Sequence, residues 1–305
     1  ATTPDALAAQ RLETQRQVRG LQDRYADQWA GMGAVAEAFA VAWDAAGDTA
    51  QAIAWYARAL KANDASASMK AHEQFVNLQV RQAWTAARNA APDDPALADV
   101  LANARQAITD ALRDLLALAA LQPTIERLSL CGSAWKRLAQ IEERDADPAR
   151  HQAALAMAAE AYAKAEQLAI EQQDPQQFYP GGNRMAIELA QHAGDPDWAG
   201  FEEAGRLRQL HSLLAKHAAD PDFWSNLALI ETDLFHAMVQ RKLAASVDKL
   251  RASYAELHRR VAARPFWGSA ADQARFVLAP YQVRVDAGEQ RAAHHLLNQL
   301  DGYAA

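Results

Sequence analysis

Two adjacent basic residues, Lys136 and Arg137, lie on one predicted helix beside small and polar side chains. Ser133 shares their face of the helix, because residues three and four positions apart lie on the same side. Arg137 offers a planar fork of donors that fits a carboxylate, so this face is a candidate for binding an acidic group. The structural alternative is a solvated stripe, or an ion pair with Glu142 or Glu143.

Three further polar residues are candidates for the same partner-binding surface. Glu126 falls on the same helix face as the basic pair, about two helical turns before Ser133. Asn77 and Arg81 stand four residues apart on another predicted helix. Asparagine is mildly unfavourable inside a helix, so we expect the Asn77 side chain to make a hydrogen bond that offsets this cost. It can hydrogen-bond a ligand backbone or a neighbouring helix, and we favour the neighbouring helix.

The run FYPGGN, residues 178–183, is typical of a turn. Pro180 fixes φ, the two glycines permit positive φ, and Asn183 is a good cap for a following helix. Tyr179, within this run, and Arg184, directly after it, complete the candidate partner-binding residues. A purely structural role for the run is the favoured interpretation.

Motifs for catalysis or metal binding are missing from the sequence. The pair His72-Glu73 lacks a second histidine four positions on, so it is not a zinc-protease motif. Asp233 and His236 form one carboxylate–histidine pair, whereas a di-iron bundle needs two Glu-x-x-His motifs. We therefore predict a non-enzymatic protein without catalytic residues, metal or cofactor. An all-helical enzyme whose site assembles only in three dimensions is kept as an alternative.

Charge and hydropathy limit the partners and the location. The formal net charge is −7 with both signs interspersed, which argues against a nucleic-acid partner. Apolar runs of 18 residues are missing, and the first residues do not form a signal peptide. The single cysteine, Cys131, excludes an internal disulfide and favours a reducing compartment. We expect a cytoplasmic protein with no membrane partner.

The composition predicts an all-α fold. Ala, Leu, Gln, Glu and Arg dominate, and runs of β-branched residues with period-two alternation are missing. Six helix starts are expected where a capping side chain precedes proline, at Thr3-Pro4, Asp94-Pro95, Asp147-Pro148, Asp174-Pro175, Asp195-Pro196 and Asp220-Pro221. The predicted helices are 4–30, 34–46, 49–62, 65–91, 95–121, 124–144, 148–172, 184–193, 196–217, 221–243, 246–262, 269–286 and 289–303.

One helical hairpin carries a repeat-like spacing of aromatic, glycine and small residues. These residues are Trp43, Gly47, Ala52, Tyr56, Ala59 and Leu60. The glycine allows a tight turn, the alanines allow close approach, and the aromatics fill the space between helices. The pattern resembles a tetratricopeptide repeat (TPR), and it recurs in degenerate form around Gly132–Ala165 and Tyr281–Leu300.

The central stretch resembles the TPR region called the TRAF-binding domain, found in apoptosis signal-regulating kinases and in bacterial multidomain proteins. The resemblance rests on Gly132, Ser133, Ala134, Lys136, Arg137, Leu138, Ala139, Tyr179, Pro180, Gly181, Asn183 and the segment His72–Arg81. The sequence departs from that pattern at Trp135 and Gly182. The resemblance implies a helical protein-binding module, in bacteria often joined to a signalling or effector domain.

These patterns together predict an α-solenoid of irregular TPR-like hairpins over residues 1–305. Residues 1–33 would cap it, 34–193 match the repeat best, and 194–305 form degenerate hairpins. First helices of stacked repeats line a concave groove, so we expect a protein or peptide partner there. The predicted role is an interaction scaffold, or a sensor or docking module of a bacterial signalling system. The alternative is self-assembly through the apolar positions of helix 4–30, which are Leu7, Leu12, Val18, Leu21 and Tyr25.

Overall fold

A computed structural model describes residues 4–29, 31–201, 222–262 and 264–304, together with 210 and 214. These residues form twelve α-helices and one short 3₁₀ helix, with no β-strand among them, so the all-α prediction is confirmed. The helices are α1 (Pro4–Trp29), α2 (Gly33–Ala45), α3 (Thr49–Lys61), α4 (Met69–Asn89), α5 (Leu97–Leu121), α6 (Ile125–Arg144), α7 (Pro148–Glu171), the 3₁₀ helix (Pro175–Gln177), α8 (Phe178–His192), α9 (Phe223–Val239), α10 (Leu243–Arg260), α11 (Arg264–Gln282) and α12 (Ala287–Ala304).

The helices belong to two compact units, Thr2–Ala158 and Ala159–Ala305, whose boundary falls within α7. In the first unit each helix from α1 to α6 packs against the next one, and α4 also packs against α6. In the second unit α8 packs against α9 and α11, and α12 packs against α10 and α11. Short connections between consecutive helices make hairpins of this kind antiparallel. The division of 1–305 into a cap, a repeat region and degenerate hairpins stays a prediction.

The α2–α3 hairpin has the packing that its residue spacing predicts. Gly47 adopts φ +73° at the turn, a conformation that other residues rarely adopt. Trp43, Ala52 and Tyr56 are all at most 3% exposed. Burial, followed by the nearby carboxylates, raises the pKa of Tyr56 to about 12. The hairpin therefore buries its aromatic and small residues as a TPR hairpin does.

The loop after α3 closes the start of α2. The Asp64 carboxylate accepts hydrogen bonds from the Gly33 backbone N–H at 3.1 Å, and the Ser66 hydroxyl accepts one from the Ala34 N–H at 2.7 Å. The Ser66 hydroxyl also donates to Asp64 and lowers the pKa of that carboxyl below its ordinary value. Asp64 stands where a TPR often has proline, and here it is a helix cap supplied from outside the helix.

Helix α1 is attached to this hairpin by polar contacts to its turn and its tryptophans. The side-chain oxygen of Gln22 accepts hydrogen bonds from the indole N–H groups of Trp43 at 3.3 Å and Trp55 at 3.2 Å. Arg11 donates to the backbone carbonyl of Ala46 at 3.1 Å. A single amide oxygen therefore satisfies two buried indole donors.

Two of the predicted Asp-Pro starts are confirmed. Asp147 accepts a hydrogen bond from the Arg150 N–H at 2.9 Å, and α7 begins at the following proline. Asp174 accepts one from the Gln176 N–H at 2.7 Å and opens the 3₁₀ helix. In both cases the carboxylate satisfies a backbone donor that the first turn leaves unpaired.

Of the other predicted starts, one is displaced, one is wrong, and the others lie wholly or partly outside the described residues. The Asp94 carboxylate accepts a hydrogen bond from the Ala96 N–H at 2.8 Å, and α5 begins at Leu97, two residues after the predicted start. Asp195 likewise caps a turn, so residues 196–201 are not helical, and most of the remaining predicted helix 196–217 lies outside the described residues. The pair Asp220-Pro221 and residue Thr3 also lie outside them. The cap of α9 is Asp222, whose carboxylate accepts a hydrogen bond from the backbone N–H of Ser225, the third residue of α9.

The predicted turn at FYPGGN is wrong, because these residues form the first turns of α8. Neither glycine has a positive φ, and the Asn183 side chain donates to the Tyr179 carbonyl at 3.0 Å within the helix. Pro180 is tolerated there because its missing N–H lies in the first turn. A Cβ at Gly181 would lie 2.7 Å from a carboxylate oxygen of Glu166, so that side chain would have to shift to accommodate any larger residue.

Candidate protein-binding face

Helices α4 and α6 lie side by side and run in the same direction. At their starts, Glu73 of α4 accepts a hydrogen bond from Arg127 of α6 at 2.6 Å. At their ends, Arg144 of α6 donates to the carbonyls of Ala87 and Ala90, which closes the C-terminus of α4. All of these contacts join residues 54 to 57 positions apart, so the register is constant along the pair.

This register brings together candidate residues that the sequence predicted on separate helices. Asn77 is level with Ser133, and Arg81 is level with Arg137, because each pair follows the same offset. Lys136 adjoins Arg137, and all five side chains are partly exposed. We call this surface the α4–α6 face. It combines three cationic side chains with an amide and a hydroxyl, which suits a carboxylate-bearing chain.

Contacts within α6 orient the basic pair. Arg137 donates a hydrogen bond to the Ser133 hydroxyl one turn earlier, so the guanidinium lies along the helix surface. Glu142, a predicted ion-pair partner, is buried and accepts from Arg105 of α5 at 2.7 Å. The other predicted partner, Glu143, is exposed.

Glu126 lies at the starting end of the α4–α6 face. Its carboxylate forms an ion pair with Lys70 of α4 and accepts a hydrogen bond from Gln74 at 3.3 Å. It therefore connects the two helices rather than standing alone on α6. Ser129, which the same spacing would put on the exposed face, is 4% exposed and faces the interior.

Tyr179 and Arg184 both belong to α8 in the second compact unit. Tyr179 is 49% exposed, and Arg184 forms an ion pair with Glu166 of α7 at 3.3 Å. Their membership of one binding surface with the α4–α6 face stays a prediction.

The buried ion pair between Arg127 and Glu73 was missed by sequence reasoning. Both side chains are at most 7% exposed, and Arg127 also donates to the Gln122 carbonyl at 2.7 Å. A signal was present, because Arg127 precedes the buried residues Cys131 and Ala134 by four and seven positions. A charged residue in an apolar helical stripe indicates a buried partner.

Several aromatic residues of the second compact unit pack together where helices meet. Trp267 is fully buried, and the centroid of its ring lies 5.4 Å from that of Phe223 in an edge-to-face arrangement. Trp224 and Phe266 are 39% and 37% exposed at the edge of this cluster. Trp198 contacts a different ring, that of Phe201, at 5.5 Å.

Among the described residues, three or more His, Cys, Asp or Glu side chains nowhere gather as metal ligands would. Within the same residues, each helix is too short or too polar to span a bilayer.

Residues 48–190 match the family model described as Tetratricopeptide Repeats-Sensor. The match begins at the cap of α3, reaches into α8 and covers just under half of the chain. No curated protein matches the sequence. The matched residues therefore form a TPR-type region, in agreement with the hairpin packing and the repeat spacing.

Proposed function

We propose that this chain is a non-enzymatic protein-binding module whose α4–α6 face holds an acidic segment of a partner. The observation that carries the proposal is the shared register of α4 and α6, which sets Arg81 level with Arg137. Lys136 precedes Arg137 on α6 and adds a third cation. Cations on adjacent helices can contact successive carboxylates of one extended segment. Asn77 and Ser133, also level with each other, can hydrogen-bond its backbone.

The comparison with known families supports this role. The matching family is described as a repeat-type sensor, which agrees with a sensor or docking module within a regulatory protein. The motif resemblance to the TRAF-binding domain points the same way, and from it we infer a bacterial signalling setting and a fused effector domain. The lone buried Cys131 agrees with a reducing, cytoplasmic location.

The test compares binding of synthetic peptides to wild type and to a charge-reversed variant. Fluorescently labelled twelve-residue peptides rich in Glu and Asp are titrated by anisotropy, against peptides in which Gln and Asn replace the acids. The variant Lys136→Glu/Arg137→Glu should bind the acidic peptides at least about tenfold more weakly, because two attractive contacts become repulsive.

A matched control carries the same charge change elsewhere on the surface. Arg113→Glu/Lys249→Glu reverses two cations whose side chains are 71% and 75% exposed on α5 and α10. It should bind like wild type. Equal weakening in both variants would show that binding depends only on the net charge of the protein. Unchanged binding in both would show that the acidic peptide does not bind at the α4–α6 face.

Self-assembly through α1 is a second candidate function. Leu12 and Leu21 are 63% and 51% exposed on α1, although Val18 on the same helix is buried. The two exposed leucines lie on opposite sides of α1, because nine positions correspond to about 180° around a helix, so a second copy could pack against either side. Light scattering over a hundredfold concentration range, on wild type and Leu12→Glu/Leu21→Glu, tests it. A mass that rises in wild type alone supports assembly, and a constant mass in both excludes it.

A further inference from the structure

The middle of the α4–α6 face is rich in cations and lacks acidic residues. Residues 74–89 of α4 and 127–141 of α6 contain neither Asp nor Glu. The cations of these two stretches are Arg81, Arg88, Arg127, Lys136 and Arg137. Arg127 is neutralised by the buried carboxylate of Glu73. The whole chain, in contrast, has a formal net charge of −7. A local excess of positive charge on an acidic protein favours an anion as the occupant of this face.

Along this face the charge is balanced at the start and unbalanced in the middle. At the start, Lys70 and Glu126 form an ion pair, so their charges cancel. Arg81 stands eleven residues after Lys70, about 16 Å further along α4, where it is level with Arg137. A row of carboxylates laid along the whole face would meet Glu126 at its start. A single group with more than one negative charge needs only the middle of the face.

The two level arginines can act on one group. Arg137 donates a hydrogen bond to the Ser133 hydroxyl, which orients its guanidinium along α6. Within the described part of the chain, the guanidinium of Arg81 has neither an ion pair nor a hydrogen bond, and its side chain is partly exposed. The axes of packed helices lie about 8–10 Å apart, so long side chains from neighbouring helices can converge on a group between them. Arg81 therefore has donors that an external anion can use.

The number of charges and oxygens separates a phosphate from a carboxylate at such a site. A carboxylate has one negative charge and two oxygens, which one guanidinium can bind as a bidentate pair. A phosphate monoester has a charge of about −1.5 to −2 at pH 7 and three acceptor oxygens, so it can accept from two guanidiniums together. Clusters of arginines are a common means of recognising phosphorylated residues. Two level arginines with a neighbouring lysine therefore match a phosphate better than a single carboxylate.

We propose that the α4–α6 face binds a phosphorylated segment of a protein partner, with the phosphate between Arg81 and Arg137. Lys136, next to Arg137 on α6, adds to the positive potential. Asn77, one turn before Arg81, can hydrogen-bond the backbone of the segment beside the phosphate. This role rests on the proposed function, since it specifies the acidic group that the same face holds. Binding then depends on whether the partner is phosphorylated.

The test uses three twelve-residue peptides that differ only at the central residue, which is phosphoserine, glutamate or serine. The other positions are Gly, Asn, Gln and Ala, so the central residue carries the only side-chain charge. Anisotropy titrations of the full chain measure each dissociation constant. The phosphoserine peptide should bind at least about tenfold more tightly than the glutamate peptide, and the serine peptide should bind most weakly.

Substitutions of single arginines locate the phosphate. Arg81→Gln and Arg137→Gln should each weaken binding of the phosphoserine peptide at least about fivefold, because each removes one fork of donors. Arg113→Gln, the matched control, removes an arginine whose side chain is 71% exposed on α5, and should leave binding unchanged. Arg137→Lys keeps the charge but loses the fork, so it should lower the preference for phosphoserine over glutamate. Equal effects of Arg81→Gln and Arg113→Gln would overturn the assignment of the phosphate to this face.

Three further outcomes distinguish phosphate selection from the binding of acidic segments in general. The phosphoserine and glutamate peptides could bind equally while the acid-rich peptides still lose affinity in Lys136→Glu/Arg137→Glu. The proposed function would then stand, and phosphate selection would be overturned. Failure of the acid-rich and phosphoserine peptides alike to bind would overturn both. Free O-phosphoserine that competes at the same concentration as the phosphoserine peptide would overturn the protein segment as the ligand, because a small phosphorylated compound would then suffice.

Discussion

The buried pair of Arg127 and Glu73 gives the sharpest test of how α4 and α6 are held together. In Arg127→Met the apolar stem is kept and the guanidinium is lost, so the Glu73 carboxylate stays buried. Its other ion-pair partner among the described residues is Lys70, whose ammonium is 3.8 Å away and half exposed. Breaking a buried pair costs about 3–5 kcal/mol, because one charge is left uncompensated.

A second variant separates this penalty from the net value of the pair. Glu73→Leu/Arg127→Met replaces both charges by apolar groups of similar size. The cost of one buried charge is then removed, and the remaining loss is mainly the donor to the Gln122 carbonyl, about 1 kcal/mol. We expect the double variant to be more stable than Arg127→Met by at least about 2 kcal/mol.

The measurement is urea unfolding followed by circular dichroism, with Arg113→Met as the control. Arg113 forms an exposed ion pair on α5 with its side chain 71% exposed, so its loss should cost less than about 1 kcal/mol. The reasoning is refuted if Arg127→Met and Arg113→Met lose equal stability. It is also refuted if the double variant is as unstable as the sum of its two single changes.

Three further outcomes follow from the described contacts. Gly182→Ala, with open space around its Cβ, should stabilise by about 0.5–1 kcal/mol in the same urea titration. Gly181→Ala should gain less stability, because its Cβ would lie 2.7 Å from a carboxylate oxygen of Glu166 and that side chain would have to shift. Gln22→Leu leaves two buried indole N–H groups without their acceptor, so we expect a loss of about 1–3 kcal/mol and faster hydrogen exchange in α1. The pKa of Asp64 is lower in the folded protein than in the unfolded chain. The unfolded chain therefore takes up this proton at a higher pH, and the stability that the carboxylate contributes is lost as pH falls through the folded pKa. Asp64→Asn should therefore show a smaller drop in Tm between pH 5 and about pH 3 than wild type, and an equal drop would contradict the capping role.

The sequence predicted what depends on local signals. The α2–α3 hairpin follows from Gly47 at the turn and from small residues at one-turn spacing, all of which lie within the hairpin itself. The caps Asp147 and Asp174 act within three residues of themselves, so their role was also readable. Partial information about the candidate site was available too, since the spacing identified Asn77 and Arg81 on one helix.

The rest depends on partners far away along the chain. The run FYPGGN has the composition of a turn, but the packing of Gly181 against Glu166 gives its glycine a different use. The alignment of Arg81 with Arg137 depends on contacts between α4 and α6 whose residues are 54 to 57 positions apart in the sequence. No local pattern specifies such contacts. A small cleft takes its lining from three helices, with Arg105 on α5, Trp135 on α6 and Ala153 on α7, so no single stretch of sequence predicts it.

Helix α6 contributes to two surfaces, since Trp135 lines a small cleft with residues of α5 and α7, and Arg137, two residues later, belongs to the α4–α6 face. Two positions correspond to about 200° around a helix, so any rotation of α6 moves both side chains in opposite directions. A ligand that favours one rotation of α6 would therefore act on both surfaces. If a ligand on the Trp135 side changes the affinity for an acidic peptide by some factor, the peptide must change the affinity for that ligand by the same factor. Two titrations, each with the other compound present, would measure that single number twice.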